Sequence, residues 1–188
     1  WTSLMKKLSL SLFSLLIFLL LPTLSICSEK TISGKAKVVD GDTIKIKKKK
    51  IRLFGIDAPE MKQICTNKFK KNYNCGAKSK KALEKAISEE LTKTKNLSVK
   101  YKKNYNVWCK TKGKDRYKRI IGICAVNQIS LFHLDNTLNA WMVSSGNAVA
   151  YKRYSKAFLK HEDEAKINKR GMWQGEFERP EQWRRKNK

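Results

Sequence analysis

Acidic residues are scarce in this sequence. The chain has 188 residues, with 16 Asp and Glu against 42 Lys and Arg, so its formal net charge is +26 at pH 7. A field of this strength favours polyanionic partners, either nucleic acid or an anionic membrane surface, and does not choose between them. A coat of solvated lysines is the plainer explanation, so charge alone does not predict catalysis.

Several familiar metal-site signatures are also missing. The sequence has two His residues and no CxxC pair, so a zinc site is not predicted. The stretch Asp40-Gly41-Asp42 lacks the ligand spacing and the distal Glu of an EF-hand loop. No internal repeat or linker stands out, and the length suits one domain, which we place at 28–188 with a basic tail from about residue 174.

The longest apolar run, Leu8–Leu21, is short for a membrane span and is interrupted by serines. It follows Lys6 and Lys7 and precedes a short polar region, as in a secretory signal peptide that starts naturally at Met5. We therefore predict that residues 1–27 are a signal peptide and that the mature protein is exported, to the periplasm or the medium. The alternative is a protein anchored in the membrane by an uncleaved N-terminal segment.

Four cysteines remain once that segment is removed, namely Cys65, Cys75, Cys109 and Cys124. Four cysteines allow three disulfide connectivities. We favour Cys65–Cys75, which closes the loop after Asp57–Glu60, and Cys109–Cys124, which lies across the predicted hairpin that carries Asp115–Arg119. Four free thiols are the alternative, but an exported protein makes that less expected.

Two acidic motifs flank a predicted β-hairpin. Asp40–Thr43 precedes the strand Thr43–Lys47, and Asp57–Glu60 follows the strand Lys50–Phe54. A hairpin returns its two ends to one edge of a sheet, so the acids are expected to converge. Carboxylates that lie close together need a cation, and oxygen ligands suit Ca²⁺ or Mg²⁺. Arg52 lies on the second strand, where its guanidinium can bind a phosphate.

Three motifs in this order and spacing resemble the staphylococcal nuclease family: VVDGDTIKI, IRLFGIDAPE, and DRYKR at Asp115–Arg119. Either of the first two motifs alone is better explained as a turn, whereas the set of three is specific. The resemblance runs from about Gly34 to about Trp173. It implies an α+β fold, a five-stranded OB-type β-barrel with three helices.

The resemblance also implies a function. It implies a Ca²⁺-dependent endonuclease that hydrolyses DNA and RNA with little base specificity, leaves 3′-phosphates and works as a monomer. The alternative is an OB-type module that binds nucleic acid without cutting it. Retention of the acids and arginines together favours the enzyme.

Site residues can be carried over position by position. The implied Ca²⁺ ligands are Asp42, Asp57 and the backbone carbonyl of Ala58, with Asp40 and Thr43 in support. Glu60 matches the carboxylate that orients or deprotonates the attacking water. Arg52 and Arg119 match the arginines that bind the phosphate, and Tyr117 and Tyr151 resemble the aromatic residues beside the nucleotide. Lys118 stands where the family usually has Gly, which puts the aim of Arg119 in question.

The remaining elements follow from periodicity and from turn residues. We predict strands at Ile32–Val39, Asn96–Trp108 and Arg119–Val126, loops at Met61–Asn74 and Lys110–Lys118, and helices at Gly76–Leu91, around Leu138–Met142 and at Lys156–Arg170. Asp135 or Asn136 is expected to cap the second helix and Ser155 the third. In the tail, we expect Trp173, Phe177 and Trp183 to pack against the barrel and Arg184–Lys188 to fray.

Overall fold

The computed structural model describes residues 30–93 and 107–187. The predicted signal peptide and most of the predicted strand Asn96–Trp108 lie outside the described residues. Within the described part of the chain, no helix combines the length and apolar character needed to cross a membrane.

The main sheet has six strands, namely Thr31–Gly34 (β1), Ala36–Asp40 (β2), Thr43–Ile46 (β3), Lys49–Leu53 (β4), Val107–Lys114 (β8) and Ile120–Ala125 (β9). Their order across the sheet is β1-β8-β9-β4-β3-β2. β1 and β2 occupy the two edges of this order, yet only Lys35 separates them in sequence. The sheet therefore curls back on itself, which gives the expected OB-type barrel shape.

The predicted first strand is thus two strands. Ile32–Val39 was expected to be continuous, but it breaks at Gly34, whose φ of +154° is open to glycine and unfavourable for other residues. Each half pairs with a different neighbour, β1 with β8 and β2 with β3.

β3 and β4 form the predicted hairpin around Lys47 and Lys48. Ile44 and Ile46 on β3, and Ile51 and Leu53 on β4, are almost fully buried. Burying these β-branched and aliphatic side chains is what fixes the register of the hairpin, because a slip of one residue would turn them to solvent. The two acidic motifs at the ends of this hairpin are held in place as a result.

Two further pairs of short strands in the described residues form separate two-stranded sheets. β5 (Ile56–Asp57) pairs with β10 (Val149–Ala150), and β6 (Ile64–Thr66) pairs with β7 (Asn72–Asn74). The predicted loop Met61–Asn74 therefore contains a small hairpin. β8 also continues to Lys114, so the predicted loop Lys110–Lys118 is wrong over its first half.

Four α-helices lie in the described residues, one more than expected. They are α1 (Cys75–Lys93), α2 (Leu138–Ser144), α3 (Leu159–Ile167) and α4 (Pro180–Lys186). The fourth occupies the tail that was expected to fray. The overall class is α+β, as predicted.

Two predicted helix caps are wrong. Thr137 caps α2, with its hydroxyl accepting from the Ala140 amide at 3.2 Å, because Asp135 and Asn136 already belong to a short 3₁₀ turn. α3 begins after Phe158, and the Ser155 hydroxyl instead accepts from the Ala157 amide in the preceding turn.

Both favoured disulfides are present, Cys65–Cys75 and Cys109–Cys124. The first closes the β6–β7 hairpin onto the start of α1. The second joins residues that are directly opposite on β8 and β9. Crosslinks of this kind typically stabilise a fold by about 2–4 kcal/mol.

The larger of two buried hydrophobic clusters in the described part of the chain lies between the curled sheet and the helices. Its largest fully buried side chains include Phe158, Leu83, Met142 and Ile56. Asn139 is fully buried within it, and its amide donates to the carbonyls of Phe54 and Gly122 at 2.9 and 3.2 Å. Asn139 thereby ties α2 to the residue that follows β4, the strand that carries Arg52, and to the middle of the neighbouring strand β9.

Candidate active site

A single guanidinium bridges two buried acids. Arg52 Nη1 donates to Asp42 Oδ1 at 2.5 Å, and Arg52 Nη2 donates to Asp57 Oδ1 at 2.9 Å. The side chains of Asp42 and Asp57 are only 5% and 1% exposed. The predicted convergence of the two acidic motifs is therefore present, and Arg52 lies between them.

Strand register explains this convergence. Thr43 on β3 lies directly opposite Arg52 on β4, and Asp57 ends the short strand β5 that follows. Leu53 donates its amide to the Asp42 carbonyl at 2.7 Å, which holds the turn before β3 against the end of β4. Gly41 lies in this turn, where any Cβ would clash with Ser79 of α1 and with Ala58.

Backbone and hydroxyl groups complete the surroundings of Asp42. Its Oδ1 also accepts from the Thr43 hydroxyl at 2.9 Å, and its Oδ2 accepts from the Ala58 amide at 3.1 Å. Asp40 accepts from the Asp42 amide at 3.0 Å. The residues predicted to support a metal site thus surround Asp42 directly.

Three charged groups in this centre have displaced pKa values. Burial, with the nearby charge of Asp42, raises the pKa of Asp40 to about 6. Burial also raises the pKa of Asp57, although Arg184 and Arg52 act in the opposite direction. Burial opposes the charge on Arg52, but Asp42 and Asp57 outweigh it and raise its pKa. Acids with pKa values displaced in this way are common at functional sites.

Glu60 lies at the rim of this centre, with its side chain 40% exposed. Its backbone is fixed by Gln63. The backbone N–H of Gln63 donates to the Glu60 carbonyl at 2.8 Å, and the side-chain oxygen of Gln63 accepts from the backbone N–H of Glu60 at 3.3 Å. Gly76, at the start of α1, packs directly on this turn and leaves no room for a Cβ. The Glu60 side chain therefore extends toward solvent from a fixed backbone turn.

Arg184 is the site residue that the sequence did not predict. It lies on α4, in the stretch that was expected to fray, and that expectation is wrong. Its Nη1 and Nη2 donate to Asp57 Oδ1 and Oδ2, both at 2.9 Å, and Nη1 also donates to Glu60 Oε1 at 2.9 Å. These two acids raise the pKa of Arg184, against the effect of its burial.

We call this group the acidic cluster. It contains Asp40, Asp42, Asp57 and Glu60, with Arg52 and Arg184. Its four carboxyl groups face two guanidinium groups.

Arg119 directly precedes β9 and has different partners. Its Nε donates to Asp115 Oδ2 at 2.6 Å, and its guanidinium lies 5.6 Å from the centroid of the Tyr117 ring. Lys118 adopts φ +62°, the left-handed conformation that glycine would favour. The turn therefore keeps its tight form with Lys, and the Asp115 carboxylate accepts from the Arg119 amide at 2.9 Å.

The two predicted aromatic residues differ in their positions. Tyr117 is 66% exposed at the tip of the β8–β9 hairpin. Tyr151 is half-buried beside the acidic cluster, where burial and the nearby charge of Asp57 raise its pKa. Its ring contacts Tyr154 edge-to-face, with centroids 4.8 Å apart.

The donor chemistry fits a hard divalent cation. Among residues 30–93 and 107–187, no three His, Cys, Asp or Glu side chains lie close enough to hold a metal ion together. Asp42 Oδ2 and Asp57 Oδ2 each accept one hydrogen bond in this structure, and a carboxylate oxygen has room for two such contacts. Both acids can therefore offer one oxygen to a cation while keeping their arginine partners, with backbone oxygens and water as further ligands.

Comparisons with known proteins agree with this geometry. The family model described as "Staphylococcal nuclease homologue" matches residues 50–175. The chain is 32% identical over 149 residues to the succinoglycan biosynthesis protein ExoI of Rhizobium meliloti, covering 78% of this chain and 67% of that protein. It is also 32% identical over 181 residues to an uncharacterized endonuclease of Haemophilus influenzae, covering 92% of this chain and 84% of that protein.

The matched stretch contains Arg52, Asp57, Glu60 and Arg119, whereas Asp42 precedes it and Arg184 follows it. It spans well over half of the chain. This protein therefore belongs to the staphylococcal nuclease family.

Proposed function

We propose that this protein is a Ca²⁺-dependent endonuclease that hydrolyses phosphodiester bonds in DNA and RNA. The observation that carries the proposal is the Arg52 guanidinium held between buried Asp42 and Asp57, with Glu60 at the rim. Membership of a nuclease family supports nucleic acid as the substrate. The relative named an endonuclease supports the same reaction class.

Asp42, Asp57 and the Ala58 carbonyl are the residues that would hold the cation. A bound divalent cation supplies positive charge that stabilises the anionic transition state of phosphodiester hydrolysis. Because Asp42 and Asp57 are buried and fixed by hydrogen bonds, they would present their oxygens without reorganisation during the reaction.

Arg52 and Glu60 carry the remaining chemistry in this proposal. Arg52 is partly exposed, at 16%, so one edge of its guanidinium is available to a phosphate oxygen. Glu60 Oε1 accepts from Arg184, so Oε2 remains to accept a hydrogen bond from the attacking water. Arg119 would approach the phosphate from the other hairpin, on releasing Asp115.

A row of lysines supports binding of a polyanionic strand. Lys37, Lys45 and Lys50 lie directly opposite one another on β2, β3 and β4, all three are exposed, and none is paired with an acid within the described part of the chain. Like charges placed opposite each other destabilise a sheet, so an external anion would relieve them. Thr43 and Arg52 lie on the same face of the sheet as the lysines, two residues or roughly 7 Å farther along the strands from Lys45 and Lys50.

Little base specificity is part of the proposal. Lysine and arginine contacts to phosphates carry no sequence information, and an aromatic ring such as Tyr151 stacks on any base. Cleavage that leaves 3′-phosphates is proposed on the family resemblance, and the enzyme is proposed to act as a monomer.

Export is also proposed. Two disulfides support it, because such bonds persist in oxidising compartments and are rare in reducing ones. Mass spectrometry of the mature protein is expected to find an N-terminus after Ser25 or Cys27. An intact N-terminal segment would instead favour the membrane-anchored alternative.

A plasmid-nicking assay tests the enzymatic proposal. Purified mature protein is expected to degrade plasmid DNA and RNA with Ca²⁺ and to stop when a chelator is added. Glu60→Gln, which keeps the side-chain size, serves as the matched inactive variant. A protein that retards DNA in a gel but cuts nothing at any Ca²⁺ or Mg²⁺ concentration would be the non-catalytic binding module instead.

A further inference from the structure

The C-terminal segment is built into the fold before it reaches α4. Thr66 on β6 and Glu176 exchange backbone hydrogen bonds at 2.9 and 3.2 Å. Two residues later, the Glu178 carbonyl accepts from the Gln63 side chain at 2.7 Å. Gln63 is fully buried, and it is the residue that fixes the backbone of Glu60.

A second anchor fixes the start of α4. Arg179 Nη2 donates to Glu162 Oε2 and to the Ala150 carbonyl, both at 3.0 Å. Pro180 follows as the first residue of the helix and is buried. Proline suits this position, because its fixed φ is helical and its missing N–H would have no partner there.

α4 then carries Arg184 to the two acids. Its guanidinium donates to both carboxylate oxygens of Asp57 and, through Nη1, also to Oε1 of Glu60. Asp57 is held in its sheet pair with Val149 and is almost fully buried, whereas the Glu60 side chain is 40% exposed. Within the described residues, Arg184 is the one side chain bonded to the Glu60 carboxylate, so it connects the more exposed acid to the buried one.

We propose that Arg184 is a positioning residue, which holds the Glu60 carboxylate beside Asp57 so that its second oxygen faces the attacking water. The inference rests on the proposed nuclease function. It also makes α4, which lies beyond the stretch matched by the family model, a part of the active site.

Substitutions at position 184 test this role against a matched neighbour. Arg184→Ala is expected to lower kcat about ten- to a hundredfold at saturating Ca²⁺, with KM for an oligonucleotide changed less than about twofold. Arg184→Lys is expected to recover only part of that loss, because a single ammonium cannot bridge both acids as the fork does. Arg185→Ala is the control, since Arg185 is exposed and pairs with Glu181 on the same helix.

A double variant separates positioning from independent action. If Arg184 acts through Glu60, adding Arg184→Ala to Glu60→Gln lowers kcat no further. Losses that multiply would overturn the proposal. So would a raised KM with unchanged kcat, which assigns Arg184 to substrate binding, or a raised kcat, which makes it a blocking residue.

Unfolding measurements test the contact without activity. Urea unfolding of Arg184→Ala, Glu60→Ala and the double variant, all in chelator, is expected to give non-additive midpoints. Additive midpoints would overturn the inference even in an active enzyme. A wild-type protein that cuts no nucleic acid would overturn the proposed function instead, and the non-additivity would still decide whether α4 holds Glu60.

Discussion

Two ion clusters in the described part of this molecule both join carboxylates to cationic side chains, and they have opposite charge balance. The acidic cluster has four carboxyl groups and two guanidinium groups. The second, the Glu162 cluster, has one carboxylate with three cations: Arg179, Lys166 and Lys152. Each takes one arginine from the C-terminal segment, Arg184 for the first and Arg179 for the second.

The balance of charge decides how the acids behave. Burial would raise the pKa of Glu162, but hydrogen bonds from Arg179, Lys166 and the Ala150 amide outweigh it and lower the pKa to about 2. In the acidic cluster burial prevails, and the pKa of Asp40 rises to about 6. A saturated acid stabilises a fold, whereas an excess of buried acids leaves capacity for a cation and for proton transfer.

Removing an acid from the acidic cluster is expected to have the largest effect. Glu60→Gln should lower kcat about a hundred- to ten-thousandfold, because the amide cannot activate water. The free energy of unfolding should change by less than about 1 kcal/mol, since Glu60 lies at the rim. Cleavage kinetics and urea unfolding measure the two quantities on one sample. Full activity in this variant would remove Glu60 from the mechanism.

Removing the acid of the Glu162 cluster should do the reverse. Glu162→Gln is expected to lower the free energy of unfolding by about 3 kcal/mol at pH 7, because it breaks a buried ion pair and leaves Arg179 without its charge partner. Activity measured well below the melting temperature should persist. Glu164→Gln, at an exposed position of the same helix, is the control. Loss of activity without loss of stability would contradict the comparison.

The pH dependence of the free energy of unfolding gives a second test of the role of Glu162. The pKa of Glu162 is about 2 in the folded protein, against an ordinary value of 4.5. Its contribution is therefore complete above about pH 4.5 and is lost as pH falls toward 2, by up to about 3 kcal/mol. Glu162→Gln should lack this part of the acid sensitivity. Identical slopes for wild type and variant in that window would refute the assignment.

The lysine row beside the acidic cluster should give a smaller effect, confined to binding. Lys45→Gln with Lys50→Gln is expected to raise KM for single-stranded DNA about three- to tenfold and to weaken its salt dependence. The pair Lys156→Gln and Lys160→Gln removes equal charge from exposed positions near α3 and serves as the control. Equal effects of the two pairs would show a diffuse field in place of a defined row.

The smallest effect is expected at Lys118, outside both clusters. Lys118→Gly relieves a left-handed conformation but adds freedom to the unfolded chain, so stability should change by less than about 1 kcal/mol. Calorimetric melting measures this change, and cleavage kinetics should match the wild type. A large loss of activity would show that the Lys118 side chain itself contacts substrate.

The barrel half of the site could be predicted from the sequence, and the C-terminal half could not. Hairpin register follows from local alternation, so the meeting of Asp42, Arg52 and Asp57 was within reach of pattern analysis. Arg184 reaches Asp57 across 127 residues, and Gln63 reaches Glu178 across 115. α4 is a seven-residue helix without an apolar stripe of its own, so only these distant contacts distinguish it from a fraying tail.

Two wrong predictions at shorter range, the cap of α2 and the length of the first strand, have separate causes. Asp135 and Asn136 lie in a 3₁₀ turn, so the residue that caps α2 is Thr137. Gly34 split the first strand between two edges of the sheet, and closure of the barrel, not local propensity, required that break.

The distance in sequence between Arg184 and Asp57 also sets when the cluster forms during synthesis. Asp57 and Glu60 are synthesised 127 and 124 residues before Arg184, so both acids leave the ribosome before α4 can join them. The full set of acid–guanidinium contacts can consequently form only after Arg184 has emerged, well after the barrel strands are available to fold.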